Sequence, residues 1–136
     1  MTEKKKFADA IHMIDAYLAE NCTDPEWVSC SHMCRGFLHR ERIRLESEAV
    51  WRDAIEHNGE DTQLNVAVEE MAELTKEIIK HKRGVDNLQQ LAEEIADVEI
   101  MLEQLKLIFG VHTVVIIEKE RKKDRLRKRL VDGEES

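Results

Sequence analysis

Five glycines divide this chain into stretches of nearly equal, helix-sized length. They stand at positions Gly36, Gly59, Gly84, Gly110 and Gly133. Glycine is common just beyond a helix C-terminus, because it adopts a left-handed backbone without steric cost. Since the chain holds only these glycines and a single proline, an all-β or Rossmann-type fold is not expected. The spacing predicts an all-α fold, an antiparallel helical bundle joined by short links.

The boundaries of the predicted helices follow these glycines. They span about 3–21, 38–57, 62–83, 86–109 and 113–131, with a loop near 21–25 and a less regular helical stretch up to Gly36. The clearest boundary is His81-Lys82-Arg83-Gly84, where cations precede a glycine, and Asp86 begins a capping pattern for the next helix. A length of 136 residues suits one domain. Residues 1–50 form a helical extension of unassigned role.

Composition limits the partners and the compartment. The chain has a formal net charge of −8, and no apolar run reaches the ~18 residues of a membrane span. Its first residues lack the apolar stretch of a signal peptide. Three cysteines, an odd number, favour thiols in a reducing environment over a disulfide framework. We therefore expect a cytoplasmic protein without a membrane partner.

Two predicted helices carry carboxylates at their apolar faces. One helical arc contains mostly apolar residues: Leu64, Ala67, Val68, Met71, Leu74, Thr75, Ile78 and Ile79. Glu70, Glu73 and Glu77 lie along its border. On the next helix the apolar face consists of Leu91, Ile95, Val98, Met101, Leu102 and Leu105. Glu94 falls inside that face and Asp97 at its edge.

If these faces pack together, Glu70, Glu73, Glu94 and Asp97 converge. Four acids in a small space need compensating charge, because an unpaired buried carboxylate costs several kcal/mol. Mg²⁺ is the hard cation that carboxylate oxygens suit, and Mn²⁺ is a substitute. A di-iron site needs Glu-x-x-His pairs, which these acids lack. The simpler alternative is a set of solvated charges on amphipathic helices.

The segment Glu69-Glu70-Met71-Ala72-Glu73, followed by Glu93-Glu94-Ile95-Ala96-Asp97, resembles the EExxE…ExxD signature of the MazG-like, all-α NTP pyrophosphohydrolases. The resemblance covers roughly residues 60–130 and is closest to short, single-domain members like those carried by phages. It implies a four-helix core, usually dimeric or tetrameric, with residues 60–131 as the metal-binding core. A protein of this family converts a nucleoside triphosphate into the monophosphate and pyrophosphate.

The same resemblance implies roles for individual residues. The carboxylates that would hold Mg²⁺ are Glu70, Glu73, Glu94 and Asp97. One of them, or the neighbouring Glu69 or Glu77, would orient or deprotonate the attacking water. The predicted catalytic residues are Glu70, Glu73 and Glu94. Family members also use basic residues of the last helix on the phosphates. This points to Lys119, Lys122, Lys123 and Arg125 here.

Other candidates rest on weaker patterns. The stretch 118–130 holds eight basic residues against three acids, which a solvated helix face also explains. The net charge and the lack of interleaved aromatic residues argue against nucleic-acid binding. Gln63 and Gln104 lie near the acids and are candidate contacts for a sugar or base. Trp51 and Trp27 are candidates for stacking on a base, although large aromatic residues usually belong to a core.

A zinc site is the remaining metal hypothesis. Its candidate ligands are Cys22, Cys30, His32, Cys34 and His39, but they lack the Cys-x-x-Cys spacing of a zinc knuckle. Buried thiols and surface imidazoles are the simpler interpretation.

Three functions remain open from the sequence. The first is a Mg²⁺-dependent (d)NTP pyrophosphohydrolase, and the second is a hydrolase of another nucleotide pyrophosphate such as an alarmone. The third is a non-catalytic, acidic helical interaction protein. A second apolar stripe of Ala96, Ile100 and Leu107, with the region Val114–Ile117, predicts a homodimer or homotetramer.

Overall fold

The computed structural model describes residues 2–21 and 33–134, and within these ranges every regular element is an α-helix. The helices are α1 (Glu3–Asn21), α2 (Met33–Asn58), α3 (Glu60–Lys82), α4 (Leu88–Phe109) and α5 (His112–Glu134). The predicted all-α fold is confirmed. In the described ranges, no helix combines the length and hydropathy needed to cross a membrane. The chain divides into two compact units, Met1–His57 and Asn58–Ser136.

Three of the five glycines end or precede helices as predicted. Gly59, Gly84 and Gly110 have φ values of 87°, 88° and 63°, which is the left-handed region that favours glycine. The expected boundary at Gly36 is wrong, because α2 begins at Met33 and continues through this residue. Gly133 likewise lies inside α5. A glycine inside a helix costs only about 1 kcal/mol relative to alanine, so the surrounding helix formers outweigh it.

The first unit contains α1 and α2 in antiparallel orientation. Arg42 of α2 donates to Asp15 of α1 and, one turn along its own helix, to Glu46 at 2.9 Å. Nearer the start of α1, the Arg52 guanidinium lies 5.5 Å from the centre of the Phe7 ring. Because the later residue of α2 meets the earlier residue of α1, the two helices run in opposite directions.

The second unit is organised by a hairpin of α3 and α4. The residues that α3 turns toward α4 follow one another at alternating steps of four and three: Gln63, Ala67, Glu70, Leu74 and Glu77. On α4 and its first cap the same steps give Asn87, Leu91, Glu94, Val98, Met101 and Leu105. All of these side chains are buried or half-buried. The alternation is that of a coiled coil, and we call this contact the seam.

The predicted apolar faces of the two helices are therefore partly wrong. Val68, Met71 and Ile78 of α3 are exposed, as are Ile95 and Leu102 of α4. Glutamates occupy seam positions in their place. The physical reason is that each helix carries a wide apolar arc, and one neighbouring helix can cover only part of it. Because of the turn between α3 and α4, the two helices contact each other through the more polar side of each arc.

The last helix continues from this hairpin. It follows the left-handed Gly110 and has only a short contact with α4. Val111 and Val115 are half-buried, whereas every side chain from Lys119 to Val131 is exposed.

Candidate metal centre

Three polar layers, spaced seven residues apart along α3, interrupt the seam. In the first, the Gln63 Nε2 donates to the Gln104 Oε1 at 2.6 Å. In the third, the Asn87 Nδ2 donates to the Glu77 Oε2 at 2.7 Å and to the main-chain oxygen of Glu77 at 3.0 Å. These four side chains are almost completely buried. We call these two layers the end layers, and each is held together by hydrogen bonds.

The central layer contains only carboxylates. Glu70, Glu94 and Asp97 each place one carboxylate oxygen within 4.8 Å of the other two. Glu70 and Glu94 are half-buried, and Asp97 is exposed. No lysine or arginine of the described ranges forms an ion pair with any of the three. The layer thus concentrates negative charge at one point of the seam and opens to solvent at Asp97.

The pKa of Glu70 in the central layer and that of Glu77 in one end layer are shifted in opposite directions. The pKa of the Glu70 carboxyl is raised above its ordinary value by burial first, and then by the charges of Asp97 and Glu94. The pKa of the Glu77 carboxyl is lowered, because Lys80 and Asn87 both donate hydrogen bonds to it. Glu70 and Glu77 occupy equivalent positions one heptad apart. The difference in pKa therefore comes from what faces each of them.

The central layer has the chemistry of a divalent-cation site. Carboxylate oxygens are hard ligands, and Mg²⁺ is usually bound through a few of them while water or phosphate oxygens complete its coordination. Three carboxylates that converge on a surface open to solvent, with no ion pair to a lysine or arginine of the described residues, match that requirement. The residues fit Mg²⁺ or Mn²⁺, and they lack the histidines of a di-iron site.

Glu73 lies beside this cluster rather than in it. Its exposed carboxylate forms an ion pair with Lys76, and its charge contributes to the raised pKa of Glu70. Of the four predicted metal ligands, the structure thus brings three together and leaves the fourth one turn away. Glu69 is exposed on the same helix.

The remaining candidates lie elsewhere. Gln63 is engaged with Gln104 in an end layer, and Trp51 is half-buried in α2 of the first unit. The predicted phosphate ligands are all exposed on α5: Lys119, Lys122, Lys123 and Arg125. Lys123 forms an ion pair with Glu120, whereas Lys122 and Arg125 line a surface hollow together with Leu126 and Arg129.

Most candidate zinc ligands and one stacking candidate lie outside the described residues. Cys22, Cys30, His32, Trp27 and the side chain of Cys34 lie outside the described residues. His39 is half-buried in α2.

The end layers are what the sequence prediction missed. Their signal was present, because Gln63, Glu70 and Glu77 recur at intervals of seven residues. A polar residue repeated at one heptad position marks a seam with polar layers. Such a repeat would have predicted that Glu77 belongs to the seam and is separate from the acid cluster.

Comparison with known proteins adds no assignment. The chain matches no protein-family model, no curated protein and no solved structure.

Proposed function

We propose that this protein is a Mg²⁺-dependent nucleoside triphosphate pyrophosphohydrolase, which converts a (d)NTP into the monophosphate and pyrophosphate. The observation that carries the proposal is the contrast among the three polar layers of the seam. Both end layers are held together by a side-chain hydrogen bond across the seam. The central layer instead gathers three carboxylates within 4.8 Å.

This contrast supports a bound cation because the central layer destabilises the fold on its own. Like charges at this distance repel, and burial adds to the cost. In the end layers, by contrast, amide side chains donate hydrogen bonds across the seam. A bound cation therefore explains why Glu70, Glu94 and Asp97 are acidic residues. These are also the residues that carry the resemblance to the EExxE…ExxD signature.

The chain's own carboxylates would divide the work between them. Glu70, Glu94 and Asp97 would hold the ion. When bound, Mg²⁺ supplies positive charge that holds phosphate oxygens and neutralises the charge developing on them. Glu73, exposed and one turn from Glu70, is the carboxylate free to exchange its lysine partner for the attacking water. Glu77 is a poor choice for that role, because Lys80 and Asn87 occupy its oxygens.

The basic side of α5 is the proposed phosphate contact. Within the described part of the chain, Lys119, Lys122 and Arg125 have no acidic partner, whereas Lys123 is paired with Glu120. A triphosphate carries several negative charges, so unpaired cations on an exposed helix are suited to it. We propose that these three residues bind the substrate and that the enzyme acts on free cytoplasmic nucleotides as a homodimer or homotetramer.

A nucleotide panel tests this proposal. The protein is incubated with each (d)NTP and with other nucleotide pyrophosphates in Mg²⁺, and the products are separated by chromatography. We expect monophosphate and pyrophosphate from at least one triphosphate, and at least ~100-fold slower turnover in Glu70→Gln. Glu99→Gln is the matched control, because Glu99 is exposed on α4 and outside the seam. Equal losses in both variants would contradict the assignment.

Calorimetry with Mg²⁺ separates an enzyme from an interaction protein. Wild-type protein should bind the ion, and Glu94→Ala should bind it at least ~10-fold more weakly, since one ligand is gone. If neither protein gives a binding heat, the carboxylates are surface charge and the proposal is wrong. If the ion binds but only another pyrophosphate is cleaved, the metal site stands and the substrate class changes.

A further inference from the structure

The α3–α4 hairpin has two flanks of opposite character, one apolar and one acidic. The apolar flank consists of apolar residues that recur at seven-residue spacing beside the seam. From α3 and the turn these are Leu64, Met71, Ile78 and Val85, and from α4 they are Leu88, Ile95, Leu102 and Phe109. We call this set the apolar flank.

Both rows lie on the same side of the hairpin. In an antiparallel helix pair, equivalent heptad positions next to the seam face each other across the contact, because reversing one helix also reverses its sense of rotation. Met71 follows Glu70, and Ile95 follows Glu94, so the two rows run side by side. Asp97 and Glu73 hold the equivalent positions on the opposite side of the seam. The acid cluster therefore opens away from the apolar flank.

The side chains of the apolar flank are exposed. Apart from the half-buried Leu64, its members are between 42% and 64% exposed. Within the described part of the chain, the only hydrophobic side chains of the second unit that are buried are Ala67 and Met101. Large continuous apolar patches of this kind are rare on proteins that stay monomeric. This hairpin thus carries a row of large apolar side chains that are exposed to solvent.

We infer that a second copy of the chain docks on this apolar flank, face to face. The two rows present the same residue types at the same seven-residue spacing, which is the self-complementary pattern that a two-fold interface requires. No charged residue interrupts either row, so the flank offers no electrostatic signal for a different partner. Two hairpins joined in this way would form a four-helix arrangement.

The area supports a stable pair. Seven side chains that expose about half of roughly 170–240 Å² each offer about 700 Å² per copy, or about 1,400 Å² in total, within the range of stable interfaces. The acid clusters would then lie on the outer sides of the pair. Each cluster would be complete within one chain, so metal binding should survive separation of the copies. The inference identifies the surface of the proposed oligomer but does not depend on hydrolysis.

Light scattering on matched variants tests the inference. Ile95 lies in the apolar flank and is 46% exposed, and Ile117 of α5 is 54% exposed outside it. Wild-type protein should have twice the chain mass of 15.9 kDa. Ile95→Glu should weaken the pair at least ~100-fold, since it would place two charges in an apolar contact, and Ile117→Glu should leave it unchanged. Leu88→Glu, at the most exposed position of the flank, repeats the test if Ile95→Glu folds poorly by circular dichroism.

The outcomes distinguish this inference from the proposed function. A monomeric wild type, or a dimer that survives both flank substitutions, would overturn the docking surface. A dimer lost in Ile117→Glu rather than Ile95→Glu would move the interface to the Val114–Ile117 region, and the inference would be wrong. Calorimetry with Mg²⁺ on monomeric Ile95→Glu should give the wild-type binding heat per chain. Loss of that heat would contradict the placement of the acid clusters away from the interface.

Discussion

Replacing Glu70 with glutamine removes one charge from the central layer and keeps the length of the side chain. Two unit charges 4.8 Å apart repel by about 1 kcal/mol even at the dielectric constant of water, and Glu70 has two such neighbours in Glu94 and Asp97. The sum of the two repulsions is about 2 kcal/mol at this separation and dielectric constant. We expect Glu70→Gln to increase the free energy of unfolding by roughly 1–2 kcal/mol in Mg²⁺-free solution.

The assay is urea unfolding at pH 7, followed by far-UV circular dichroism, first with a chelator and then with Mg²⁺. Wild-type protein should gain stability from the ion, by about 2.7 kcal/mol at a concentration 100 times the dissociation constant. Glu70→Gln should gain clearly less, so the order of stability reverses between the two conditions. Glu77→Gln is the control, at the equivalent position one heptad away. It should lose stability with or without Mg²⁺, because Lys80 and Asn87 stabilise the Glu77 carboxylate.

The two substitutions must therefore act in opposite directions. A loss of stability in Glu70→Gln under chelator would mean that a favourable partner already holds this carboxylate. In that case the central layer would have no need of a cation. A gain in Glu77→Gln would remove the contrast between layers on which the metal site rests.

Three further outcomes follow from the same structure. Because the pKa of Glu70 is raised above its ordinary value of 4.5, the folded chain holds this proton to higher pH than the unfolded chain. In Mg²⁺-free solution the melting temperature should therefore fall as the pH rises from 4.5 through the raised pKa of Glu70. A Glu70→Gln variant whose melting temperature fell equally with pH would contradict this prediction. Gln63→Leu should cost about 1–3 kcal/mol in urea unfolding by leaving the Gln104 amide buried without its partner, and adding Gln104→Leu should recover most of that loss. Gly110→Ala should cost about 1–2 kcal/mol, because φ at this position is 63°; an unchanged urea midpoint would show that the turn relaxes.

Local patterns in the sequence predicted the helices well and their faces less well. The predicted helix over 3–21 matches α1, and Gly59, Gly84 and Gly110 mark helix ends as expected. Such signals depend on residues within a few positions of one another. The carboxylates of the central layer were also predicted to converge, since their four-residue motifs place two acids on one side of each helix.

The orientation of the seam could not be predicted from each helix alone. A helical wheel ranks the faces of a helix by their apolar content. Met71 and Ile78 are exposed, and they make that side of α3 more apolar than the side that forms the seam. Which side is covered depends on α4, and the contact between Gln63 and Gln104 joins residues 41 positions apart. Gly36 was misread for a related reason: a glycine ends a helix only where the chain also turns.

The short turn between α3 and α4 determines which residues meet across the seam. Shifted by one heptad, the two helices would place Glu70 opposite Asn87 and Gln63 opposite Glu94, so these two acids would face amides while Glu77 would lose Asn87. That register would lack the acid cluster. Only five residues, 83–87, connect α3 to α4, so this shift would require unwinding the last turns of α3. The acid cluster is therefore a product of chain connectivity, and the same two helices as separate peptides would lack the restraint that assembles it.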